Sequence, residues 1–135
     1  MKKFLAISVL CGLAGCADMG GAPPGPPPPA TPVFFQPFSA ALDPAATNTI
    51  AAAAQAANAQ PNARVVVIGA ADSVGSVEAN KYLSETRAQV VADALVADGV
   101  AEGRIHMHGV GVAPSPAPTG MPAQFARRVL IEIGG

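Results

Sequence analysis

The sequence predicts an α+β fold, a sandwich with two helices packed on one face of a mixed sheet. Three observations carry this. Four short segments, 33–38, 65–68, 104–109 and 127–133, read as strands bounded by turn residues. Two longer segments between them carry helix start and stop signals. The last two strands follow each other with no helix between, so the order is β-α-β-α-β-β. Right-handed crossovers then place both helices on the same side of the sheet.

The first strand is 33–38, VFFQPF, with Pro37 confining its end to an edge or bulge. The first helix starts at Asp43-Pro44, where Asp caps the free N–H groups and Pro suits the first helical position. It runs through alanines and Ile50 to about Ala59, ahead of Pro61. The second strand is the Val-rich run 65–68, which Gly69 stops, and Asp72 and Gly75 mark a loop. Ser84 caps the second helix, which runs to about Asp98 and ends at Gly99. Ala88, Val91 and Leu95 recur at helical spacing and supply its buried face. The third strand is 104–109, RIHMHG, followed by a long Gly- and Pro-rich loop, and the fourth is 127–133.

Ahead of this domain, assigned to 33–135, lie two segments of a different kind. Residues 1–15 have the form of an export signal: Lys2 and Lys3, then an apolar run too short to span a bilayer. The run ends in Leu13-Ala14-Gly15-Cys16, which resembles the bacterial lipobox, and the resemblance implies that Cys16 is lipidated. Each buried acyl methylene contributes about 0.8 kcal/mol, so the two or three chains of such an anchor hold firmly. Ala17, not Asp, follows the cysteine, which by resemblance to the bacterial sorting rule points to the outer membrane. Residues 16–32 form a Pro-rich linker, extended as polyproline II and reaching roughly 50 Å at about 3.1 Å per residue.

Composition narrows the function. The 135-residue chain has a net charge of −1; without Lys2 and Lys3 it keeps six basic and nine acidic residues, a charge of −3. That is not the basic footprint of a nucleic-acid binder. Cys11 lies in the leader and Cys16 at the box, so no thiol is left in the domain for a disulfide, a nucleophile or a metal. His106 and His108 share a strand face, but no third ligand has a recognisable spacing to them, and a solvated face is expected. No Gly-x-Ser-x-Gly elbow is present. The reading is a binding module without cofactor or metal, not an enzyme.

The candidate site is Asp72 with Arg87. A carboxylate just past a strand end and a guanidinium in the first turns of the next helix can meet at one mouth if the loop folds back. Together they match a ligand carrying both an ammonium and a carboxylate. Residues Gly69-Ala70-Ala71-Asp72, Gly75, Asn80, Leu83-Ser84 and Arg87-Ala88 resemble the hallmark of the peptidoglycan-associating OmpA/MotB/Pal-like domain. The resemblance covers about 33–133. It implies that Asp72 and Arg87 hold the amino acid head of diaminopimelate in the peptidoglycan stem peptide, with Asn80 supporting the loop or ligand and Arg127 at the mouth. The chain then ties the outer membrane, by its lipid, to the cell wall. A second reading stays open. Ala70, Ala71, the 36–38 segment and Ala126 depart from the hallmark, as in a domain of this fold that serves as a structural or protein–protein partner in an envelope complex.

Overall fold

The computed structural model describes residues 25–26, 29–113 and 123–134. The leader, Cys16, much of the Pro-rich linker and most of the long loop lie outside the described residues. The elements are β1 (Ala30–Phe34), α1 (Pro44–Asn58), β2 (Val65–Ala71), α2 (Val77–Ala97), β3 (Ile105–Val112) and β4 (Arg128–Ile133). The sheet order is β1-β4-β2-β3. β4 runs antiparallel to both β1 and β2, while β2 and β3 are parallel. Both helices pack on one face of this mixed sheet, as expected. Ile50, Ala53 and Ala57 of α1 and Ala88, Val91 and Leu95 of α2 share one core with Val33, Val65, Val67, Val129 and Ile131.

α1 begins as its cap predicts: Asp43 Oδ1 accepts the Ala46 N–H at 2.7 Å, and Pro44 is the first helical residue. Its far end has no basic residue of its own. Arg104 supplies the missing charge from across the fold, donating to the carbonyls of Ala57, Gln60 and Ala63.

Several boundaries differ from the sequence reading; β3, for one, runs past Gly109 to Val112, into the stretch expected to be loop. β1 starts at Ala30, inside the stretch assigned to the linker, and ends at Phe34. Pro32 is tolerated because β1 is an edge strand and needs donors on one side only. β2 continues through Gly69 to Ala71. Gly69 does not stop it; the missing side chain lets α2 lie directly against the strand. α2 starts two turns before Ser84, capped by Ser76, whose Oγ accepts the Ala79 N–H at 3.1 Å. Arg87 is therefore in the third turn. The C-terminus matches the prediction: Gly99 has φ +100°, and the N–H groups of Gly99 and Val100 close on the carbonyls of Val96 and Leu95.

Ser84, displaced from its expected role, ties α2 to β3. It is fully buried, donates to the Lys81 carbonyl at 2.7 Å and accepts the Gly111 N–H at 2.8 Å. Ser84→Ala strands that buried N–H and is expected to cost about 1–3 kcal/mol in urea unfolding. Thr86→Ala removes an exposed hydroxyl on the same helix and should stay within about 0.5 kcal/mol of wild type.

Candidate functional site

Asp72 stands immediately after β2, and its two carboxylate oxygens do different work. Oδ1 accepts the Val74 N–H at 3.0 Å and so holds the loop. Oδ2 pairs with Arg127 Nη1 at 3.3 Å, both side chains about one-seventh exposed. Arg127 lies just before β4 and is held by Phe35, just past β1: its Nε donates to the Phe35 carbonyl at 3.2 Å, and its own carbonyl accepts the Phe35 N–H at 2.9 Å.

Arg87 sits behind this pair, with no exposed surface. It makes no ion pair among the described residues. Instead Nε donates to the Ser39 carbonyl at 2.8 Å, Nη2 to the Gln36 carbonyl at 3.0 Å and Nη1 to the Ala70 carbonyl at 3.0 Å. Its guanidinium carbon lies 5.2 Å from the centre of the Phe35 ring. Burial lowers its pKa to about 10; Asp72 opposes this and Arg127 adds to it. The group therefore keeps its charge at neutral pH.

The expected pair is thus part of a triad. One carboxylate lies within the field of two guanidiniums, and the cluster carries a net charge of +1, the complement of an anionic group. Asp72 bonds Arg127, not Arg87. Asn80, in the first turn of α2, is 3% exposed, and its Nδ2 has no partner among the described residues. A shallow cavity of about 240 Å³ beside the cluster is lined by Phe34, Phe35, Gln36, Asp43, Gln124 and Arg127; its walls include neither Asp72 nor Arg87. A larger one, about 560 Å³, lies away from the cluster between α2 and edge strand β3, lined in part by Lys81, Glu85, Gln89, Met107 and His108. His106 and His108 are exposed on β3, and among the described residues no three potential metal ligands converge. The residues missed by sequence reasoning are those whose carbonyls accept from Arg87: Gln36, Ser39 and Ala70. A backbone carbonyl is common to every residue and leaves no mark in a sequence.

Two helices on a mixed sheet, with a charged cluster beyond the end of a central strand, define an OmpA-like α+β domain. The chain belongs to the OmpA family, whose model matches residues 34–128. It is similar to the probable lipoprotein YiaD of Escherichia coli, 38% identical over 101 residues, which cover 75% of this chain and 46% of YiaD. It is also similar to the peptidoglycan-binding protein ArfA of Mycobacterium tuberculosis, 35% identical over 128 residues, 84% of this chain and 39% of ArfA. The chain spans less than half the length of these curated relatives. Among solved structures, the peptidoglycan-associated lipoprotein of Burkholderia pseudomallei aligns with a TM-score of 0.68 at 24% identity, covering 76% of this chain and 89% of that one. The C-terminal domain of Helicobacter pylori MotB aligns with a TM-score of 0.69 at 21% identity, covering 77% and 85%. At such identities these two show the fold alone.

Proposed function

We propose that this chain is a lipid-anchored envelope protein that binds peptidoglycan non-covalently through the diaminopimelate of its stem peptide. Cys16 carries the lipid, the outer membrane holds it, and the Pro-rich linker spans toward the wall. One observation carries the binding claim: Asp72, Arg87 and Arg127 form a cluster of charge +1 on the hallmark residues of the family. The carboxylate of Asp72 meets the ligand ammonium. The guanidinium of Arg87 meets the ligand carboxylate, and Arg127 adds positive field at the mouth. Asn80, whose Nδ2 has no partner among the described residues, supports the loop or the ligand. A ligand lacking either charge leaves a site charge unmatched, which is the basis of selection. Similarity to a peptidoglycan-binding relative supports this reading. A weak single contact suffices, because tethering raises the local concentration to about the millimolar range.

The test is co-sedimentation of the full chain in detergent with purified peptidoglycan. Wild type is expected in the pellet, and free diaminopimelate should release it. Asp72→Asn keeps the shape but removes the charge, and should weaken binding about tenfold or more. Equal sedimentation of wild type and Asp72→Asn, with no release by diaminopimelate, rejects the ligand assignment. No muropeptides should appear in the supernatant, since the domain acts as a binder and not as an enzyme. One observation favours a second reading, a non-binding partner in an envelope complex: Arg87 is already sealed by three carbonyls. That reading predicts no wild-type sedimentation with bare peptidoglycan.

A further inference from the structure

Arg87 presents two of its donors in a particular way. Nε–H and the neighbouring Nη2–H point from one edge of the guanidinium, side by side, as the fork that accepts both oxygens of a carboxylate. In this structure the fork is filled by two carbonyls of one short turn, Ser39 on Nε at 2.8 Å and Gln36 on Nη2 at 3.0 Å. The third carbonyl, from Ala70, takes the other nitrogen and belongs to the sheet. The turn is closed by the Ser39 N–H bonding the Gln36 carbonyl at 3.2 Å.

Between the two carbonyls sits Phe38, with φ +54°, the one non-glycine residue of positive φ among those described. Left-handed backbone is costly for a residue with a Cβ, and it persists where the surroundings enforce it. Its ring contributes little to holding the turn, being 71% exposed. The turn itself sets this backbone, with Pro37 in its second place and a positive φ in its third, and the guanidinium engages the carbonyls at both of its ends.

We propose that the 36–39 turn is an internal competitor for the ligand, its two carbonyls standing in for the ligand carboxylate on Arg87 until the carboxylate displaces them. This rests on the functional reading above and adds its regulation. The free protein keeps a buried cation satisfied. Binding exchanges two carbonyls for one carboxylate, opens the turn and releases Phe38 from its left-handed backbone. The strain at Phe38 therefore favours the ligand: it raises the energy of the closed turn and so lowers the cost of opening it.

Phe38→Gly removes the penalty for positive φ and should strengthen the closed turn. The full chain carrying it is expected to bind free diaminopimelate about fivefold more weakly than wild type. Phe38→Ala removes the ring but keeps the Cβ, and should bind as wild type does. At saturation with diaminopimelate, the amide resonances of Gln36, Phe38 and Ser39 and the Nε–H resonance of Arg87 should move. Wild type that binds, with unchanged affinity in Phe38→Gly or with those resonances unmoved, overturns the competitor and leaves the functional reading intact. Wild type that binds no diaminopimelate overturns both.

Discussion

Gly69→Ala is expected to destabilise the fold severely. A Cβ at this position would lie 1.9 Å from the Ser84 carbonyl oxygen, 2.9 Å from its carbon and 3.2 Å from the Ala88 side chain. The first two are backbone atoms of α2, so no rotamer change relieves the clash. The helix has to move away from the strand. That movement pulls Ala88, Val91 and Leu95 out of the core and breaks the Ser84 bond to Gly111. Ordinary overpacking costs about 1–3 kcal/mol. Displacing a whole helix belongs to the rare class above about 4 kcal/mol. Total stability for a domain is about 5–15 kcal/mol, and each kcal/mol shifts Tm by about 4–8 °C at this size. A Tm reduced by about 20 °C or more, or no cooperative transition, is expected in thermal circular dichroism. Gly103→Ala is the control: nothing lies within 4 Å of a Cβ there, and Tm should hardly change. A Gly69→Ala protein within about 5 °C of wild type contradicts the packing described.

The second large effect is at Arg87, where stability and binding separate. Arg87→Ala leaves the carbonyls of Gln36, Ser39 and Ala70 without their donor and opens a void beneath Phe35. Leaving a buried acceptor without its donor costs about 1–3 kcal/mol, so three of them together should cost about 3 kcal/mol or more. Arg87→Lys keeps one charge and three donors, so it should fold with a smaller loss, about 1–2 kcal/mol. It has no planar fork, and its peptidoglycan binding should still fall about tenfold or more. A folded Arg87→Lys protein that sediments with peptidoglycan like wild type removes Arg87 from the ligand. pH adds a check. The folded-state pKa of about 10 lies below the ordinary guanidinium value. The unfolded chain therefore holds more protons in that interval, and the contribution of Arg87 to stability rises as pH climbs through it. Between about pH 5 and 8 the group stays charged in both states, so it gives stability no pH dependence there.

Much of this could be read in advance, for reasons of range. Asp43-Pro44 and Gly99 mark helix ends because caps act over three or four residues. Ala88, Val91 and Leu95 reveal a buried face because helical periodicity is short. Ser84 misled because Ser serves as a cap in one place and as a buried cross-link in another, and only the position of Gly111, 27 residues on, distinguishes them. Pro32 misled because its tolerance depends on lying at a sheet edge. Gly69 carries both meanings of its residue type, turn and close approach, and the choice between them was made by α2.

By itself the sequence determined the α+β class, the order of its elements, membership of a family and the residues Asp72, Arg87, Asn80 and Arg127 as the ones to watch. The class and the order of elements follow from local chemistry, side-chain periodicity and caps; the family and its residues follow from resemblance to a known motif. Tertiary structure alone decided which charge meets which. Asp72 found Arg127, 55 positions away, while Arg87 turned to three carbonyls of β2 and the 36–39 turn. The physical reason is that a buried cation takes whatever acceptors the packed backbone brings to it. Those acceptors are the same chemical group at every position of the chain.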